Sequence, residues 1–169
     1  MPANSINVEL WNLRVPLDPP IQAPKGPTTE TCLLLAFASG EGHRGVGYAS
    51  FRKAAEMEAA TTVAKKLIAE AALATSGLAG LLNVERQQEA SCEANHVSRS
   101  AASALSLAAW DLAGKQAGVP CADLWGRPAG RDKLGCYASS LWLDKSIAGL
   151  IDEAKLYRQQ NYPAGKMQI

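Results

Sequence analysis

The alternation of apolar and polar residues predicts three strands within the first fifty residues. From position 6 to position 10 every second residue is apolar, the period of a strand with one buried face. From 11 to 15 the alternation continues one position out of phase, and a β-bulge near Leu10–Trp11 would account for the slip. The apolar run TCLLLAFAS predicts a central strand and VGYASF a third. Their local connections favour an antiparallel meander.

Between the first two of these strands, the stretch PLDPPIQAPKGPTTE is rich in proline. Prolines remove backbone donors and fix φ, so this stretch is predicted to be a long loop. Long loops in compact domains are often lids or binding loops.

From about Ala54 the period changes to that of helices. AAEMEAATTVAKKLIAEAALAT predicts one helix, LAGLLNVERQQEAS has room for a short one, and HVSRSAASALSLAAWDLAGKQAG predicts the clearest. In the last, small and apolar residues recur on one face at positions 101, 104, 105, 108 and 112. Gly77 and Gly118 are placed to end helices. Asp111 is a poor helix former, so it should have a partner, either Arg127 or Lys115.

The last third of the chain has the order strand, helix, strand. LGCYASSLWL and YPAGKMQI predict strands, and DKSIAGLIDEAKLYRQQ an amphipathic helix capped by Asp144 or Ser146. This is one βαβ unit with a parallel strand pair. We therefore predict an α+β domain over residues 1–126 and the opening of an α/β domain over 127–169. Parallel strands are normally covered on both faces, so that second domain is expected to be incomplete.

Composition narrows the class of protein. The chain has 169 residues, 47% hydrophobic and 20% charged, which is typical of a globular protein. The net charge of +1, without a basic cluster, argues against nucleic acid as a partner. There is neither a signal-peptide pattern nor an apolar run of membrane-spanning length, so we expect no membrane partner and a cytoplasmic location. The four dispersed cysteines are expected to be reduced and structural.

Three stretches together resemble one family. SALSLAAWDLAGKQAGVPCADLWGR is similar to a helix and turn, GCYASSLW to a first barrel strand, and YPAGKMQI to a second barrel strand, A-x-K-x-K, of the enolase superfamily. Within it, the resemblance is to the mandelate racemase-like sugar-acid dehydratases. It implies an α+β capping domain followed by a (β/α) barrel of the TIM type, with the active site at the carboxyl ends of the barrel strands.

The resemblance also implies a reaction. Members of the superfamily remove the proton alpha to a carboxylate, Mg²⁺ stabilises the enediolate, and a lysine or histidine is the base. A sugar-acid dehydratase then expels the neighbouring hydroxyl. The magnesium ligands are expected beyond Ile169, so this chain alone is predicted to hold no metal and to be inactive. A racemase or cycloisomerase is the alternative within the superfamily. The expected partners are a small-molecule carboxylic acid and, in a homo-oligomer, further copies of the protein.

Lys166 falls on the first lysine of A-x-K-x-K and is the predicted catalytic residue. The second lysine position is occupied by Gln168, which hydrogen-bonds but does not act as a base. Three interpretations stay open. Lys166 itself is the base, a histidine from later in the barrel is the base, or the protein is a catalytically inactive relative.

Four further residues are predicted to bind substrate. Ser139, at the end of the first barrel strand, is placed to hydrogen-bond a carboxylate. Lys25 and Thr29 lie in the proline-rich stretch, and Tyr48 lies near the end of the third strand, where loops of the capping domain would close over the site. For each, a solvated or packing role is the structural alternative. A different class of function also stays open, namely a non-catalytic α+β module that docks a partner through the edge of GKMQI.

Overall fold

The computed structural model describes residues 6–21, 26–74, 78–90, 95–131, 133–142 and 145–168. By their internal contacts the residues form two compact units, Met1–Gly126 and Arg127–Ile169. Each unit is described by itself. In chain order the elements are β1 (Asn7–Ile21), β2 (Thr28–Gly40), β3 (His43–Phe51), α1 (Ala54–Ala74), α2 (Leu78–Ala90), α3 (His96–Ala117), α4 (Cys121–Leu124), β4 (Ala138–Trp142), α5 (Ile147–Gln159) and β5 (Gly165–Gln168).

The first unit is built on an antiparallel sheet of order β1-β2-β3, with β2 in the centre as predicted. The register of β1 on β2 is continuous from Asn7↔Ser39 to Pro16↔Glu30, and the irregularity falls between Pro16 and Ile21. The predicted bulge near Leu10–Trp11 is therefore wrong. The apolar even positions Ile6, Val8 and Leu10 pack towards the helices. The apolar odd positions Trp11, Leu13 and Val15 point the other way. Apolar residues on both faces of one strand produce the same sequence pattern as a shift in the phase of the alternation.

The proline-rich stretch is also shorter as a loop than predicted. β1 continues to Ile21 and β2 begins at Thr28. Edge strands tolerate proline because one side of their backbone has no ladder partner. Lys25 lies outside the described residues, so its predicted role is not addressed by the structure.

The core of the first unit lies between β2, β3 and the helices. From β2 it takes alternate residues that are fully buried, namely Cys32, Leu34, Ala36 and Ala38. From α3 it takes the face that the sequence predicted, namely Ala101, Ala104, Leu105, Ala108 and Leu112. Burial of this surface is the main favourable contribution to folding. Of the cysteines, Cys32, Cys121 and Cys136 are free thiols, and Cys92 lies outside the described residues.

Strand β3 packs directly on the backbone of α3. Gly45 and Gly47 face the helix and are buried, and a Cβ atom at either position would overlap the carbonyl oxygen of Ala108 or Ala104, respectively. Glycine is required here because only a strand without side chains can approach the helix so closely. The alanines of α3 serve the same purpose from the other side.

Two side chains of α3 bind the free edge of β3. Asp111 Oδ2 accepts a hydrogen bond from the Val46 N–H at 2.9 Å and another from Lys115 Nζ at 2.7 Å. Lys115 Nζ also donates to the carbonyl oxygen of Arg44 at 2.9 Å. Burial acts to raise the pKa of Asp111, but the Lys115 ammonium and the Val46 N–H together hold that pKa below its usual value. Lys115 is thus the partner predicted for Asp111.

The helix ends follow ordinary capping rules. Asn95 caps α3 by accepting hydrogen bonds from Val97 N and Ser98 N, and the Ser98 hydroxyl completes a capping box. Gly118, with φ of 67°, ends α3 in the left-handed conformation as predicted. Gly77 lies outside the described residues. Among the helices that the structure describes, none has the length and apolarity that crossing a membrane requires.

The second unit is the predicted βαβ unit. β4 and β5 pair in parallel, with Ala138 opposite Gly165 and Trp142 opposite Gln168. Ser146 is the N-cap of α5, and its hydroxyl accepts a hydrogen bond from Gly149 N at 3.1 Å. Asp144 lies outside the described residues. The predicted fold class is confirmed: an antiparallel meander and helices, followed by the beginning of a parallel strand pair.

A first prediction concerns the β3–α3 contact. Gly47→Ala should lower the free energy of unfolding by about 1–3 kcal/mol, because the added methyl group forces β3 away from α3. Chemical denaturation followed by circular dichroism measures the change. Ser50→Ala is the matched control, since Ser50 is exposed on the same strand, and it should stay within about 0.5 kcal/mol of the parent. Equal stability of the Gly47→Ala variant and the parent would contradict this account of the contact.

Candidate functional site

The two candidate residues of the second unit are neighbours on the parallel strands. Ser139 of β4 and Lys166 of β5 are register partners, so their Cα atoms are separated by one strand spacing, about 4.8 Å. Both side chains are exposed. Register partners in a parallel pair lie on the same face of the sheet. The predicted catalytic lysine and the predicted carboxylate-binding serine are therefore brought together.

That shared face is the one opposite α5. Ser140, the next residue of β4, points towards the helix, where its hydroxyl donates a hydrogen bond of 2.9 Å to Glu153 Oε1. Because side chains alternate along a strand, Ser139 points away from α5. The Ser139 hydroxyl therefore lies on the face opposite α5, which we call the open face. The Ser140 hydroxyl lies on the face that packs against α5, which we call the packed face.

Glu153 holds α5 against β4 through three donors. Its Oε1 accepts from Ser140, from the Tyr157 hydroxyl at 2.8 Å, and from Lys145 Nζ at 2.9 Å. The carboxylate is mostly buried, with 15% of the side chain exposed. Hydrogen bonds from Lys145, Tyr157 and Ser140 outweigh burial and lower the pKa of Glu153 to about 2. We call these four residues the Glu153 cluster.

At the carboxyl end of this strand pair, Trp142 lies opposite Gln168. Gln168 stands where the family motif has its second lysine. Only the backbone of these two residues is described, so the predicted consequence of Gln168 stays a prediction.

The candidates of the first unit do not form a single group. Thr29 is exposed near the start of β2. Tyr48 is 59% exposed, lies opposite Leu35 in the middle of β3, and is on the sheet face that points away from the helices. Leu35, the residue opposite Tyr48, is six residues from Thr29 on β2. Thr29 and Tyr48 are therefore about 20 Å apart along the strand direction. Phe51, which ends β3, is a core residue.

The described residues do not suit Mg²⁺. They include no group of three or more histidine, cysteine, aspartate or glutamate side chains placed to share a metal ion. Glu153 Oε2 is a buried oxygen without a hydrogen-bond partner, which is the kind of atom that a cation would bind. The Lys145 ammonium lies against the same carboxylate, however, and would repel a second cation. We therefore assign none of the described residues to the metal.

Sequence reasoning missed the Glu153 cluster. The spacing of Glu153 and Tyr157, one helical turn apart, was the available signal. A glutamate on an amphipathic helix is ordinarily solvated, and the partner serine on another element is not visible from periodicity. The cluster joins α5 to β4, the strand that carries Ser139.

The comparison with protein families identifies the class. Residues 5–126 match the model of the N-terminal domain of mandelate racemase / muconate lactonizing enzyme. The match covers most of the chain, so the chain belongs to the mandelate racemase / muconate lactonizing enzyme family of the enolase superfamily. The resemblance in the helix-and-turn stretch is confirmed. No curated protein matches the sequence.

Solved structures share the fold. L-talarate/galactarate dehydratase from Salmonella typhimurium LT2, liganded with Mg and L-lyxarohydroxamate, is 24% identical with a TM-score of 0.75, over 98% of this chain and 44% of that one. A mandelate racemase/muconate lactonizing enzyme-like protein from Rubrobacter xylanophilus is 24% identical with a TM-score of 0.76, over 99% and 45%. L-Talarate dehydratase from Polaromonas sp. JS666, complexed with Mg and L-glucarate, is 26% identical with a TM-score of 0.70, over 93% and 43%. This chain thus spans less than half the length of these proteins.

A second prediction concerns the Glu153 cluster. A pKa that folding lowers from 4.5 to about 2 adds stability above pH 4.5, and this contribution is lost as pH falls towards 2. Glu153→Gln should therefore be less stable than the parent at pH 7, and the difference should shrink between pH 4.5 and about 2. Denaturant unfolding at a series of pH values measures this.

The matched control is Asp152→Asn, on the same helix. Asp152 is 75% exposed and forms an ion pair with nearby Lys155 at 3.3 Å. Its replacement should change the free energy of unfolding at pH 7 by less than about 0.5 kcal/mol. A constant difference between Glu153→Gln and the parent across the whole pH range would contradict the assigned pKa.

Proposed function

We propose that this chain supplies the capping domain and the first two barrel strands of a Mg²⁺-dependent enzyme that removes the proton alpha to a carboxylate. The reaction we favour is dehydration of a sugar acid in the cytoplasm. The observation that carries the proposal is the pairing of Ser139 with Lys166 on the open face of β4 and β5. Family membership supplies the class of reaction.

In this proposal Lys166 is the base and Ser139 binds the substrate. Nζ of Lys166 takes the α-proton, and the electron pair of the C–H bond moves into the carboxylate to form an enediolate. The Ser139 hydroxyl donates a hydrogen bond to the substrate carboxylate and holds the α-carbon near Lys166. Loss of hydroxide from the neighbouring carbon, with one proton, leaves an enol that becomes a 2-keto acid. Mg²⁺, on carboxylates other than the described residues, would stabilise the enediolate.

Racemisation is the second candidate within the same class. It needs a second acid–base group on the opposite side of the α-carbon. One of the similar structures is that of a racemase from Streptomyces coelicolor A3(2) with bound magnesium. Dehydration is favoured because three of the similar structures are of enzymes named as dehydratases of sugar acids.

A third prediction tests the role of Lys166. The 169-residue chain alone should not exchange the α-proton of any acid in D₂O. A longer polypeptide that joins this chain to the rest of a barrel should do so with Mg²⁺, on a panel that includes galactarate and L-glucarate. In that polypeptide Lys166→Met should slow exchange by about 10²- to 10⁴-fold. Proton NMR measures exchange, and it separates proton abstraction from the later formation of a keto acid.

Lys155→Met is the matched control, because Lys155 is 68% exposed on α5 and bonds only to Asp152 among the described contacts. It should leave the exchange rate unchanged. Exchange that persists in Lys166→Met would place the base on another residue. A folded polypeptide that binds the acids without exchange would favour the catalytically inactive relative, and one that neither binds nor exchanges them would favour the docking module.

A further inference from the structure

The pairing of β4 with β5 is interrupted directly after Ser139. Ser139 lies opposite Lys166, and the next register pair is Trp142 opposite Gln168. Between these pairs β4 has two residues and β5 has one, which is the arrangement of a β-bulge. In a bulge the extra residue is left unpaired and the ladder is locally disrupted. Ladder hydrogen bonds alone therefore do not fix this part of β4.

Ser140, the first residue of the bulge, is held by a side chain of α5. Its hydroxyl donates a hydrogen bond of 2.9 Å to Glu153 Oε1. Tyr157 and Lys145 donate to the same oxygen and fix the position of the carboxylate. Hydrogen bonds to a charged acceptor are stronger than those between neutral groups. The bulge is thus tied to α5 at the residue that follows Ser139.

Ser139 is the residue whose orientation depends on this connection. It has a ladder partner on β5, but it shares a planar peptide unit with Ser140. A rotation of the bulge would therefore turn the Ser139 hydroxyl away from Lys166. Bulges are frequent next to active sites, where they change the direction in which a side chain points.

We propose that Glu153 is a positioning residue for Ser139. By holding the Ser140 hydroxyl it fixes the bulge, and the fixed bulge keeps the Ser139 hydroxyl beside Lys166. This inference rests on the proposed function, in which Ser139 binds the substrate carboxylate. Glu153 lies on α5, on the other side of the strand pair, and takes no part in proton transfer. Loss of its hold on Ser140 should therefore weaken binding of the acid more than it slows proton removal.

The members of the Glu153 cluster can be tested separately. Tyr157 reaches Glu153 from the next turn of the same helix, and Lys145 reaches it from the segment before that helix. Ser140 is the member of the cluster that lies on β4. In Ser140→Ala the carboxylate keeps its other two donors, so no buried charge is left unpaired. That variant removes the connection to the strand and leaves the rest of the cluster in place.

Amide hydrogen exchange of the 169-residue chain, followed by NMR, tests whether the bulge is held. Ser140→Ala should speed exchange of the β4 and β5 amides about 10-fold, because the loss of one hydrogen bond favours local opening. The Ala138 N–H, which donates to the Ala164 carbonyl oxygen at 3.0 Å, is one reporter. The amide of Leu34, in the core of the first unit, should exchange at the parent rate.

Two further variants are matched controls for that experiment. Ser140→Thr keeps the hydroxyl and suits a strand, so it should restore the parent exchange rates. Tyr157→Phe removes a donor to Glu153 without touching β4, so it should change the rates of the β4 amides by less than about threefold.

A double-mutant cycle tests whether the effect passes through Ser139. In the longer polypeptide with Mg²⁺, Ser140→Ala should raise the KM for α-proton exchange about 10-fold and change kcat by less than about threefold. In a Ser139→Ala background the same substitution should have little effect, because the hydroxyl that it displaces is gone. A role confined to stability of the fold would instead give effects that add.

Two outcomes overturn the proposal. Unchanged amide exchange of β4 in Ser140→Ala would show that Glu153 does not hold the bulge. Additive effects of Ser139→Ala and Ser140→Ala on KM would show that it does not act through Ser139. A parent polypeptide that exchanges no α-proton would overturn the proposed function and, with it, the substrate role of Ser139. The amide exchange rates distinguish this case, because they report on the bulge in the 169-residue chain without any reaction.

Discussion

The close approach of β3 to α3 is the contact on which the first unit depends. Gly45 and Gly47 remove the side chains that would separate strand from helix, and the small residues of α3 accept the strand backbone. Asp111 and Lys115 then bind the Val46 N–H and the Arg44 carbonyl, so the helix satisfies backbone groups that the sheet leaves unpaired. A shift of the helix by one turn would lose both the packing and these hydrogen bonds. The rest of the core is arranged around this contact.

Much of this fold could be predicted from sequence because its signals are local. The 3.6-residue period located α3, Gly118 located its end, and the poor helix propensity of Asp111 pointed to Lys115. The errors have a common physical origin in β1. Period reading assumes one apolar face, and β1 has two, so a straight strand was interpreted as a bulged one. Prolines in its second half were interpreted as a loop, although an edge strand tolerates them.

The order of the candidate site residues along the chain could be predicted from the sequence. The contacts that hold their strands in place could not. Two successive strands with a serine and a lysine indicated neighbouring side chains, and the register pairs Ser139 with Lys166. The Glu153 cluster joins residues from a strand, a helix and the segment before that helix, and no sequence period connects them. Its hydrogen bonds hold α5 against β4, the strand on which the candidate residue Ser139 lies.

The binding of the β3 edge by α3 has a consequence for how this sheet meets other chains. An exposed edge strand is a template onto which a foreign strand adds, and this is how many sheet proteins aggregate. Here Asp111 and Lys115 occupy a donor and an acceptor of β3, and on the opposite edge Pro16, Pro19 and Pro20 deprive β1 of N–H groups. Both edges of the sheet are therefore hindered from pairing with a further strand. A newly made copy of this unit would therefore be protected from joining another sheet edge to edge.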